Sequence, residues 1–130
     1  MTALSEHELP FKPPPIWKLM QIEVMEIGER YAKLAMPFQE KLTQPFGILH
    51  GGAIFTLADS AAAVAIAPEA RGTRLLTIEM KINYLGPVAS GITEAHARVL
   101  RMGRVVPVDI EVMNHGELVA KAIATYIIKP

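Results

Sequence analysis

A chain of 130 residues, 51% of them hydrophobic, is long enough for one domain with a real core and short enough for an active site to need a second copy. Thirteen basic residues balance thirteen acidic ones, so no global field draws the protein to nucleic acid or to an anionic membrane. Cysteine is absent, which excludes disulfides, thiolate metal sites and a cysteine nucleophile, and which fits a cytoplasmic location.

The chain opens on an arm, residues 1–19. Pro10 and the run Pro13-Pro14-Pro15 keep it from regular helix or central strand, and it has no apolar stretch of the secretory kind. Ile16 to Met20 reads as a short turn that docks Trp17, either as a packing anchor or as the wall of an acyl pocket. The remainder, residues 20–130, reads as one domain. Met20–Ile27 and Arg30–Met36 are strand-like, with hairpin chemistry at Gly28-Glu29, and Pro37 stops the second strand. Gln39 to Pro45 is a polar connection with room for one helical turn. A helix is predicted over Gly51–Ile66, ended by Pro68 and Gly72. Four strands follow: Leu75–Leu85, Gly91–Met102, Arg104–Asn114 and Glu117–Ile128. Alternation is clear in Ile78, Met80, Ile82, Tyr84 and again in Val106, Val108, Ile110, Val112, so these strands carry one apolar face each. One helix among six strands cannot supply the crossovers of βαβ winding. An α+β fold remains, an antiparallel sheet of five to six strands curled around the single helix. The aliphatic excess, with only 6% aromatics, points to a buried subunit interface beyond that core.

The predicted helix carries the chemical signal. From Ala53 to Ile66 nearly every residue is small or apolar, so the helix has no wide polar face and should be wrapped by other structure. Asp59 interrupts the only run of near membrane-spanning length, and a carboxylate in such surroundings is either satisfied by Ser60, Thr56 or a backbone amide, or it is functional. At the helix start, Gly51 and Gly52 let a carbonyl oxygen or an anion approach N–H groups that have no partner within the helix; alternatively they only make a tight entry turn capped by His50. Asp59 lies eight residues beyond Gly51, about 12 Å along the axis, so one reacting carbonyl cannot touch both groups of one helix. If the two cooperate, a two-fold dimer with antiparallel helices brings Gly51 of one copy to Asp59 of the other.

The segment Gly-x-x-His-Gly-Gly-Ala-x-x-x-Leu-Ala-Asp-Ser-Ala, Gly47 to Ala61, resembles the central-helix motif of the hotdog-fold acyl-CoA thioesterases, and most closely the PaaI-like (phenylacetate-pathway) subgroup. Leu76 to Pro87 resembles the strand that follows it in those enzymes, and the similarity runs from about Ile22 to Lys129. The resemblance implies a hotdog fold, a homodimer or a dimer-of-dimers tetramer, and hydrolysis of an acyl-CoA to free acid and CoA. It implies no metal or redox cofactor, coenzyme A being part of the substrate. Within it, Asp59 matches the base or nucleophile, the Gly51 amide matches the group that polarises the thioester carbonyl, and His50 helps hold the thioester end. Thr77 aligns with a hydroxyl that orients the attacking water in some relatives, although a strand threonine is also simply a good β-former. Gln44 stands where the pattern usually has Asn, with its amide shifted by about 1.5 Å by one extra methylene. Gly52 belongs to the substrate-facing helix start, and Arg101 and Arg104, bracketing Met102-Gly103, resemble the basic turn that meets the CoA phosphates; as surface charges they have a solvated alternative.

His7, His96 and His115 show no metal-ligand spacing with one another or with His50, and no Walker, dinucleotide-binding or Gly-x-Ser-x-Gly pattern is present. Ser60 follows Asp59 on the helix and so points elsewhere, which argues against a serine triad. Two rivals remain at this level: an acyl-thioester dehydratase or hydratase on the same fold, and a non-catalytic acyl-CoA-binding module.

Overall fold

The strongest alternation in the chain, Val106, Val108, Ile110 and Val112, lies on strand β5 (Val105–Asn114), and all four side chains are fully buried. β-Branched residues at every second position give a pleated strand one apolar face, and here that face meets a helix. The computed structural model describes residues 2–130; Met1, the first residue of the predicted arm, lies outside the described residues.

The elements are helix α1 (Pro15–Met20), strands β1 (Glu23–Gly28) and β2 (Tyr31–Pro37), helix α2 (Gly51–Ile66), and strands β3 (Arg74–Tyr84), β4 (Ile92–Val99), β5 and β6 (Glu117–Lys129). All six strands form one antiparallel sheet in the order β1-β2-β4-β5-β6-β3. The sheet curls around α2, and nine residues of this helix are buried, among them Leu57, Ala58, Ala61 and Ile66. With the short turn after it, α2 is apolar and long enough to cross a bilayer by length and composition, but it is the core helix of the domain. This is the predicted α+β hotdog architecture, with the full complement of six strands.

The differences from the sequence reading are local. Strand β1 begins at Glu23 rather than Met20, because Pro15 sits at the first helical position, where its fixed φ favours a helical turn; that turn runs to Met20 and ends at Gln21 with φ +59°. The first hairpin turns at Glu29-Arg30, with Arg30 at φ +56°, while Gly28 stays in the strand. β4 stops at Val99 instead of Met102, since residues 100–104 are spent on returning the chain to β5.

Strand β3 lies at the edge of the sheet and pairs only with β6. A bulge between Thr77 and Glu79 leaves Ile78 unpaired. Leu76, Ile78, Tyr84 and Leu85 expose about half of their surface there. An open edge bearing large apolar side chains is a ready template for another strand.

Candidate active site

Asp59 sits half-buried in the middle of α2, on the side that faces β3 and β6. Its Oδ1 accepts a hydrogen bond from Thr77 Oγ1 at 2.8 Å. The Tyr126 hydroxyl, reaching in from β6, donates to the same Oδ1 and lies 3.0 Å from the Asp59 main-chain carbonyl. The register explains the convergence: Thr77 and Tyr126 are directly opposite on paired strands, so both side chains point at one turn of the helix. Burial first, then the nearby Asp59 charge, push the Tyr126 phenol well above its ordinary value, so it remains protonated and a donor. Two donors on Oδ1 fix the orientation of the carboxylate. Oδ2 accepts no hydrogen bond, and Asp59 joins no ion pair, among the described residues.

Ser60 points away from this cluster and accepts a hydrogen bond from Trp17 Nε1 at 2.9 Å. It is thereby tied to the N-terminal segment, in keeping with its position on the next helical face. Thr56, the other suggested local partner for Asp59, instead donates to the Gly52 carbonyl at 2.9 Å.

The second group of residues lies at the other end of β3. His50 caps α2: its Nδ1 accepts the Gly52 N–H at 2.7 Å, which leaves the ring proton on Nε2. A Cβ on Gly52 would come 2.9 Å from that nitrogen, so the cap requires glycine there. Gly51, the first helical residue, donates its N–H to no group among the described residues, while its carbonyl accepts from the Tyr84 hydroxyl at 2.9 Å. Burial raises the Tyr84 phenol, which keeps it a donor. The Gly51 amide borders a cleft of about 480 Å³, lined also by Gln44, Ile54, Tyr84, Leu85 and Val88. Gln44 closes the turn that leads into the helix: its Oε1 accepts the Phe46 N–H, and its main-chain carbonyl accepts Gly47 N–H at 3.0 Å. Gly47 has φ +81°, the left-handed conformation that this turn needs.

The chain therefore brings Asp59 together with Thr77, and Gly51 together with His50, Gly52 and Gln44, but it keeps the two groups apart on one helix. Arg101 and Arg104 are exposed in the turn between β4 and β5 and make no ion pair among the described residues. The Arg104 carbonyl accepts the Ile128 N–H at 2.9 Å, two residues beyond Tyr126, so this basic turn lies toward the Asp59 end of the sheet. Among the described residues no group of three or more histidines or carboxylates is placed to hold a metal.

Tyr126 and Tyr84 are the site residues that sequence reading missed. Tyr126 follows Ala120, Ala122 and Ala124 on the inward face of β6, and one phenol at the end of a series of alanines was the available signal.

Comparison with known proteins fits this geometry. Residues 46–121 match the family model described as Thioesterase superfamily. A protein of Saccharolobus solfataricus named as an esterase is 35% identical over 98% of this chain and 87% of its own length. The 1,4-dihydroxy-2-naphthoyl-CoA hydrolase of Listeria monocytogenes is 29% identical over 74% of this chain and 80% of its own. A mutant of the phenylacetic acid degradation protein PaaI from Thermus thermophilus superposes with a TM-score of 0.80 at 27% identity, covering 88% of this chain and 98% of that one. A lone acid on the core helix, an unused amide at its start and a match across most of the chain agree with one another: the protein belongs to the Thioesterase superfamily, as a PaaI-like hotdog-fold thioester hydrolase.

Proposed function

We propose that the protein hydrolyses an acyl-CoA thioester to a free acid and CoA, in a two-fold dimer whose sites each combine Gly51 of one copy with Asp59 of the other. The observation that carries this reading is the open β3 edge, with Tyr84 and Gly51 at one end and Thr77 and Asp59 at the other. Antiparallel pairing of two such edges, centred near Met80, exchanges the ends. The amide of one copy then faces the acid of its partner, and the apolar side chains along the edge become covered.

In that arrangement the thioester oxygen lies against the Gly51 N–H, which has no acceptor among the described residues and sits at the positive end of the helix dipole. Asp59, held by Thr77 and Tyr126 through Oδ1, uses Oδ2 to take a proton from water as the water oxygen attacks the carbonyl carbon. The tetrahedral oxyanion is stabilised by the amide donor. Its collapse breaks the carbon–sulfur bond, and the departing thiolate recovers the proton. His50 and Gln44 shape the donor side of the cleft, Gly52 permits the cap, and Arg101 and Arg104 receive the CoA phosphates at the nearby basic turn.

A shared site is tested by complementation. Asp59→Asn and Gly51→Pro are each expected to be nearly inactive, yet co-expressed copies should regain about a quarter of wild-type thiol release, because half of the dimers are mixed and carry one intact site of two. The absence of cysteine lets a thiol dye report this without background. Mixed dimers that form and remain as inactive as their parents would place both groups within one copy and defeat the proposal.

A further inference from the structure

A second cavity, of about 380 Å³, opens near the end of α2 away from Gly51, and its lining is mainly apolar: Phe11 and Trp17 from the N-terminal segment, Ala63 from α2, Ala67 from the turn after it, and Leu75 from β3. Two elements of its lining lead back toward the proposed reaction centre. Ala63 on α2, and Ala67 at its C-cap, lie one and two turns beyond Asp59, on the same helical face. On β3, Leu75 is two residues from Thr77 and points to the same side of the sheet. Trp17 is anchored beside them by donating to Ser60, on the helical face next to that of the acid. Phe11 meets the Trp17 ring edge-on, with centroids 5.7 Å apart, so the two aromatics form one wall.

An open groove of this size, walled by alanines on one side, leaves space that larger side chains would fill. Its volume falls within the range of small-molecule pockets, roughly 300–1,000 Å³. From Asp59 to Ala67 the helix advances about 12 Å, which is the reach of a medium-length acyl chain or an aryl ring on a short linker. We propose that this cavity receives the acyl group, and that Phe11 and Trp17 of the N-terminal segment are specificity-determining residues which set the length it accepts. This rests on Asp59 being the reaction centre. The mainly apolar wall suits the acyl part of the substrate rather than the CoA phosphates, and the exposed Lys12 and Arg71 complete the lining.

The test has a binding arm and a kinetic arm. Trp17 is the chain's single tryptophan and lines this cavity, so its fluorescence reports on ligands that enter it. An octyl-CoA thioether, which cannot be hydrolysed, should change that fluorescence on wild-type protein, whereas CoA alone should not. In kinetics, Phe11→Ala should raise the ratio of kcat/KM for palmitoyl-CoA over octanoyl-CoA by about tenfold, and Ala67→Leu, which fills the cavity, should lower it by a similar factor. A silent tryptophan together with chain-length ratios unchanged in both folded variants would overturn the acyl assignment while leaving hydrolysis itself intact. Absence of thiol release by wild type on every acyl-CoA would instead sink the proposed activity, and this inference with it.

Discussion

The two ends of β3 offer opposite chemistry on the same edge. At the Gly51 end the functional group is main chain: an N–H with no acceptor, held open by a glycine whose Cβ would lie only 3.1 Å from Tyr84 Cζ. At the Asp59 end it is a side chain, tied by two hydroxyl donors through one oxygen and free at the other. Among the described residues one end lacks an acceptor and the other lacks a donor, about 12 Å apart along the helix. In the proposed dimer each supplies half of a thioester site, and the difference between them is what a second copy would reconcile.

The donor half breaks first. Proline is well tolerated at the first position of a helix, and His50 already has the extended backbone (φ −64°, ψ 137°) that a following proline requires. Gly51→Pro therefore removes the N–H with little demand on the fold, and Gly51→Ala is its control, since it adds the same Cβ near Tyr84 but keeps the donor. Loss of one oxyanion donor costs roughly 10²–10³ in kcat, so the proline variant should fall that far below the alanine variant. Equal kcat values for the two would show that this amide does not touch the reacting carbonyl. The acid half follows: Asp59→Asn keeps the size and the capacity to accept from Thr77 and Tyr126, and should lower kcat by at least about 10²-fold with the thermal midpoint little changed. Wild-type turnover in that variant would remove Asp59 from the chemistry.

These halves differed in how far the sequence disclosed them. Gly51, Gly52 and Asp59 could be read directly, because paired glycines before an apolar helix and a lone carboxylate inside it are both locally anomalous. Thr77 was ambiguous, since a strand threonine looks the same whether it packs or donates; only its register opposite Tyr126 resolves where its hydroxyl points. Tyr126 stands 67 residues from Asp59, and no local pattern links them. Periodicity held on β5 and misled on β3. Both alternate, yet β5 is central and buried while β3 is an edge with Ile78 exposed at a bulge, because side-chain period reports which face is apolar and not which strand has two neighbours. The proline run marked the N-terminal segment, but Pro15 begins a helix instead of excluding one, and that helix is what seats Trp17 beside Ser60.

The smallest effect expected is also the one that separates positioning from chemistry. Tyr126→Phe keeps the ring in its buried place and deletes one donor to Asp59; a hydrogen bond to a charged group is worth about 1.5–3 kcal/mol, so kcat should drop roughly tenfold or somewhat more, well short of the Asp59→Asn loss. The same hydroxyl leaves a mark on stability at alkaline pH. Its ionisation in the folded protein is pushed upward by burial and by the Asp59 charge, whereas in the unfolded chain it titrates near its ordinary value of about 10. Below that pH neither state loses the proton and the contribution is constant. Above it the unfolded chain ionises first, so fewer protons are bound in the unfolded state than in the folded one and stability falls as pH rises. The phenylalanine variant lacks this group, and its thermal midpoint should decline less steeply than wild type beyond pH 10, with Tyr84 and Tyr31, both also raised, accounting for a residual slope. Parallel curves for the two proteins would mean that Tyr126 is not held as a buried donor against Asp59, and the acid half would then have to be positioned by Thr77 alone.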